Sequence, residues 1–113
     1  MTENRQRYAI HAGVFAALAN PTRHEIVHLL CERDRTPSEL AAALEISGPN
    51  LSQHLAVLQR EGLVKRSREG GQVWFQVIDP RLAEACALID EILSRALSDR
   101  VHALETETAH VHS

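Results

Sequence analysis

At Gly62 the apolar residues of this 113-residue chain change their spacing. Before it, Leu51, Leu55 and Leu58 recur at intervals of four and three, the period of an amphipathic helix. After it, Leu63 to Ser67 and Gln72 to Val77 alternate apolar with polar residues, the period of a half-buried strand. Glu69-Gly70-Gly71 separates the two alternating runs and marks a hairpin turn. Gly62 suits the residue that ends a helix. Few small folds pass from a helix straight into one short hairpin.

Upstream, the punctuation predicts four helices. Tyr8 to Leu18 is apolar and Ala-rich, and forms the first. Asn20-Pro21 then caps and opens the second, whose apolar face is Ile26, Val27, Leu29 and Leu30 and which fades at Glu32-Arg33-Asp34-Arg35. Thr36-Pro37-Ser38-Glu39 opens the third: Thr36 caps, Pro37 takes the first position, and Glu39 stands where a capping box requires an acid. Leu40, Ala43 and Leu44 supply its buried side. Ile46-Ser47-Gly48-Pro49 is a short turn, with Ser47 capping a fourth helix that runs to about Glu61. Beyond the hairpin, Asp79-Pro80 starts a long last helix on which Leu82, Cys86, Ile89, Leu93 and Leu97 form a continuous stripe. The expected fold is mainly α with a small β-hairpin, in the order α-α-α-α-β-β-α. One domain is expected over residues 8–104, with a flexible N-terminus at 1–7 and a flexible His-containing tail at 105–113.

The third and fourth helices have the size and short turn of a helix-turn-helix, in which the second helix enters the DNA major groove. Asn50, Ser52, Gln53 and His54 lie at its start, opposite Leu51, Leu55 and Leu58. Asn and Gln can bond adenine in pairs, and Ser or His can bond bases or phosphates. A solvated face on an ordinary amphipathic helix has the same pattern. The hairpin distinguishes them, because Lys65, Arg66 and Arg68 directly precede the Gly70-Gly71 tip, as in a wing placed to grip phosphate. The expected DNA contacts are Ser47, Asn50, Ser52, Gln53, His54, Lys65, Arg66, Arg68 and Gln72. The net charge of −3 is no obstacle. Residues 49–72 sum to +2 and residues 79–113 to −4, and phosphate contact needs a local positive surface, not a positive protein.

Ala19-Asn20-Pro21-Thr22-Arg23, Glu39-Leu40-Ala41, Leu51 to Leu58, Gly62-Leu63-Val64 and Glu69 to Phe75 together resemble the arsenic-repressor (ArsR/SmtB) family of winged helix-turn-helix regulators. The resemblance covers about residues 10–95. It implies a homodimer built by the first and last helices, operator binding by the fourth helix and wing, and derepression by a small effector. The dimer also has a physical reason, since the last helix carries more apolar stripe than one small domain covers and pairing would bury it. With aromatics at 4%, a core of small aliphatics would also gain from a partner. Phe15, Leu82, Cys86, Ile89 and Leu93 are the expected interface. Two recognition helices about one DNA turn apart would match an inverted-repeat operator.

The effector is less legible. The family's arsenic sensors carry thiols where this chain has Thr36-Pro37-Ser38. Its zinc site uses an aspartate, matched by Asp79, but the first histidine position holds Arg81 and later ones fall near Ile92 and Arg95. Thiols of another pattern would stand at Val57 and Glu61. Three options remain. Cys31 and Cys86, on the second and last helices, resemble the family's thiol switches, although buried cysteine is also a plain small hydrophobe. His24, His28 and Cys31 share one helix face and suit zinc, nickel or copper, with a further ligand such as His11 required. His102, His110 and His112 place imidazoles in the tail. No cofactor is assigned. Control without an effector is a further outcome.

No apolar run is long enough to span a bilayer and no signal-peptide core follows the polar start, so a cytoplasmic protein is expected. There the two cysteines would be reduced, and they fall short of a four-thiolate zinc site. An enzyme is the main rival class. The chain lacks a Gly-rich phosphate loop, HExxH, a serine elbow and a conspicuous acidic pair. A protein-interaction winged helix is the second rival, and the basic hairpin favours DNA over it.

Overall fold

The computed structural model describes residues 2–112, with side-chain surroundings through residue 106. Five helices and one hairpin follow in the expected order: α1 (Glu3–Leu18), α2 (Pro21–Glu32), α3 (Pro37–Leu44), α4 (Gly48–Arg60), β1 (Val64–Glu69), β2 (Gln72–Val77) and α5 (Leu82–His112). The chain divides into two compact units, residues 1–81 and 82–113.

Side-chain caps set three of the helix starts in the first unit. Asn20 Oδ1 accepts from the Arg23 N–H at 3.1 Å, Thr36 Oγ1 from Glu39 at 3.2 Å and Ser47 Oγ from Asn50 at 3.2 Å. Each satisfies an N–H that the first helical turn leaves without an intrahelical acceptor. Prolines at the first turns of α2, α3 and α4 cost no hydrogen bond there. The capping box expected at Glu39 is not built, because its carboxylate accepts from Arg33 at 3.0 Å. A fourth cap departs from the expected boundaries. Thr2 accepts from the Arg5 N–H at 3.2 Å, and α1 therefore begins at Glu3 and not at Tyr8. At the other end α5 begins at Leu82, three residues past Asp79, and its helical backbone continues beyond residue 105.

The core of the first unit lies between the helices and the hairpin. Ile26, Val27 and Leu30 of α2 meet Leu40 of α3, Leu51, Leu55 and Leu58 of α4, and Leu63, Val64, Phe75 and Val77 around the hairpin, all buried. Ala43 is exposed and Leu44 half-buried, so α3 contributes chiefly Leu40. α3 ends on Glu45 in the left-handed region at φ 56°. The Ile46 N–H returns to the Ala41 carbonyl at 3.1 Å, turning the chain into Ser47.

Strands β1 and β2 pair antiparallel from Val64↔Val77 to Glu69↔Gln72. Gly70 and Gly71 form the two-residue loop at φ 58° and 76°, a type I′ geometry that glycine adopts without strain. One further pairing has no signal in the sequence. Arg35, in the α2–α3 link, bridges Phe75 of β2 through N–H···O bonds of 3.1 and 2.8 Å. Gln76 adds a side-chain bond to Asp34 at 2.7 Å. The hairpin is therefore tied directly to the link that precedes α3.

Candidate nucleic-acid interface

On α4 the polar and apolar sets separate as the helical period requires. Leu51, Leu55 and Leu58 are buried, while Asn50, Ser52 and Gln53 are exposed. Ser47 is exposed and its Oγ caps the helix. His54 is half-buried, and its Nδ1 lies 3.5 Å from the Arg23 guanidinium. That guanidinium also donates to the Ala17 carbonyl at 2.6 Å and reaches Ala16 at 3.4 Å, joining the end of α1 to α4. With Nδ1 accepting from Arg23, the His54 Nε2 carries the ring proton and presents a donor. Nothing local in the sequence marks Arg23 for this role, since its partner stands 31 positions away.

Lys65, Arg66, Arg68 and Gln72 are all exposed. Strand alternation divides the cations, however. Arg66 and Arg68 face Phe75 and Val73 across the ladder, and Lys65, opposite Gln76, lies on the other face. Arg66 lines a cleft together with Ser52 and Gln59 of α4, over an apolar floor that includes Leu55 and Phe75. The N-terminal half of α4 and a hairpin cation thus share one concavity, to which Gln59 is an unforeseen contributor. Among the described residues, Lys65, Arg66 and Arg68 form no ion pair, whereas Arg33, Arg35, Arg60 and Arg81 do. The wing cations are left to water, the condition in which phosphate can take them up.

Cys31 is half-buried on α2, and neither it nor Cys86 is in a disulfide. Cys86 on α5 is buried, and burial together with the Asp90 carboxylate pushes its thiol up, disfavouring the reactive thiolate. Asp79 is paired with Arg81 at 2.7 Å, and this hydrogen bond holds its carboxyl at about 2. The aspartate that matched the family's zinc position is therefore already engaged. His24 and His28 are drawn together, with Nε2 atoms 3.2 Å apart. His11 and His102 are exposed, and the side chains of His110 and His112 lie outside the described residues. Of the expected interface, Phe15, Ile89 and Leu93 are exposed and Leu82 is half-buried.

The family model for the bacterial regulatory protein, arsR family, matches residues 20–66, the stretch from the α2 cap into β1. Over 104 residues the chain is 40% identical to Rv0081 of Mycobacterium tuberculosis, an uncharacterized HTH-type transcriptional regulator, covering 91% of each chain. The chain belongs to the arsR family. Solved structures agree: the crystal structure of Rv0081 superposes with a TM-score of 0.75 at 41% identity, over 83% of this chain and 95% of that one. The homodimeric winged helix-turn-helix DNA-binding domain of Mb0332 from Mycobacterium bovis, a possible ArsR-family regulator, gives 0.74 at 26% identity, over 86% and 91%. A probable mercury resistance operon repressor of Streptomyces lividans is 36% identical over 77 residues, 68% of this chain and 62% of its own. This ArsR chain is accordingly a DNA-binding transcriptional regulator and not an enzyme. No helix among its described residues is long and apolar enough to cross a membrane.

Proposed function

We propose that the chain is a cytoplasmic repressor that binds an inverted-repeat operator as a homodimer and is released by a small effector. The cleft shared by Ser52, Gln59 and Arg66 carries this reading. It joins the hydrogen-bonding edge of α4 to an unpaired wing cation, as simultaneous contact with bases and phosphate demands. Asn50, Gln53 and His54 read base edges, while Ser47, Ser52, Arg66 and Arg68 hold the backbone beside α4 and Lys65 and Gln72 reach phosphate from the other face of the wing.

The dimer rests on exposed apolar surface. Leu88, Ile89, Ile92, Leu93, Leu97, Val101 and Leu104 of α5 all face water in the single chain, and so does Phe15 of α1 at 61%. Surface of this extent is supported by burial against a second copy. The neighbour from Mycobacterium bovis, described as homodimeric, agrees with this, and the Streptomyces relative described as a repressor agrees with negative control. The effector class is a metal ion or a thiol-reactive species. The raised Cys86 thiol weighs against the second.

Titration of a fluorescent duplex carrying the promoter upstream of the gene tests the reading. Affinity should exceed that for scrambled DNA and fall steeply and log-linearly with salt. Binding that ignores salt or sequence would remove the assignment.

A further inference from the structure

His24 and His28 stand one turn apart on α2, both half-buried. Their ring centroids are 4.7 Å apart and their Nε2 atoms 3.2 Å. Two imidazole nitrogens bound to one ion at roughly 2.0–2.1 Å lie about 3.2 Å apart when the N–metal–N angle is about 100–106°, between octahedral and tetrahedral values. The backbone thus already holds the pair at chelating separation. A spacing of four on a helix gives this convergence without help from any other element.

We propose that His24 and His28 form a bidentate site for a borderline divalent transition-metal ion of the zinc, nickel or copper class. Neutral imidazole suits these ions, whereas calcium and magnesium take oxygen ligands. In the metal-free state one ring donates its Nε2–H to the other. On binding, that ring takes the Nδ1–H tautomer by exchange with water, so both Nε2 atoms present lone pairs and no net proton is released. Rotation about the broad terminal torsion of either ring aims both at one ion. Water fills the remaining coordination positions.

The site has a route to the DNA-reading helix. Arg23 precedes His24, and its guanidinium meets His54 Nδ1 on α4. An ion that fixes His24 therefore biases the residue that orients His54. This regulatory consequence rests on the operator-binding reading; metal binding itself does not.

Calorimetric titration of the full chain with zinc chloride and with nickel chloride tests the site. The comparison proteins are His24→Gln, His28→Gln, and a tail variant with His102, His110 and His112 all changed to Gln. One ion per chain should bind, at least tenfold more weakly in His24→Gln and His28→Gln and undiminished in the tail variant. Unchanged binding in the α2 variants, or complete loss in the tail variant, overturns the site. Should an α2 variant melt differently from the parent without metal, nitrogen NMR of the unmodified chain decides. Zinc should shift both Nε2 resonances strongly, and unmoved resonances overturn the proposal. A chain that binds zinc at α2 but whose metal-free form binds no promoter duplex would retain the site and discard the operator reading.

Discussion

Gln53 and Arg66 are both exposed polar side chains, yet their removal should have different consequences. In the proposed docking Gln53 reads a base edge, and a paired contact of that kind contributes about 1–3 kcal/mol. Gln53→Ala should therefore narrow the gap between operator and scrambled DNA while leaving the salt dependence intact. Arg66→Ala should weaken every duplex alike and flatten the log–log salt slope by about 0.9 for each phosphate no longer neutralised. Fluorescence anisotropy over a salt series separates the two. A third residue-scale expectation concerns Asp79. Its carboxyl titrates at about 2, below the ordinary 3.8, because Arg81 bonds its ionised form. A depressed carboxylate favours folding above its unfolded value and loses that contribution as pH falls from about 4 toward 2. Arg81 is exposed and Asp79 reaches solvent beside it, so screening keeps the effect small. Carbon-detected NMR should find the Asp79 midpoint near 2, and Arg81→Gln should return it toward the ordinary value.

The elements are built by local rules with one visible exception. Caps at Asn20, Thr36 and Ser47 and the Gly70-Gly71 loop are where side-chain chemistry and positive φ demand them. Glu45 is different: a side-chain-bearing residue held at φ 56° where α3 turns toward α4. Left-handed backbone costs an L-residue about 1–2 kcal/mol, partly offset in glycine by the entropy it loses on folding. Glu45→Gly should stabilise the chain by about 0.5–1 kcal/mol in urea unfolding, with no change in operator preference. The hairpin shows what element-level reading leaves out. Its register follows from alternation, but its anchorage to the Arg35 backbone depends on which carbonyl and N–H are left free once the helices have packed. The same alternation, once the ladder is known, places Lys65 away from Arg66 and Arg68, which a plain count of basic residues groups together.

For the whole molecule, the exposed apolar residues of α5 are the basis of the proposed dimer. Leu93 and Leu97 are each 59% exposed, and a 31-residue helix with this much apolar surface is poorly supported alone. Leu93→Glu or Ile89→Asp should yield monomers by sedimentation velocity and reduce operator affinity by orders of magnitude, because half-site binding alone remains. An undisturbed dimer would move the interface elsewhere.

Period and punctuation in the sequence determined the element order, the capped starts of α2, α3 and α4, the buried leucines of α4 and the position of the hairpin turn. Each of these depends on neighbours within a few residues, where sterics and hydrogen bonding act without the rest of the fold. Only the tertiary structure decided that Arg23 reaches His54, that Arg66 shares a cleft with Ser52 and Gln59, and that Arg35 pairs with β2. Those contacts join residues far apart in the chain, and packing selects their partners from many groups of equal chemistry.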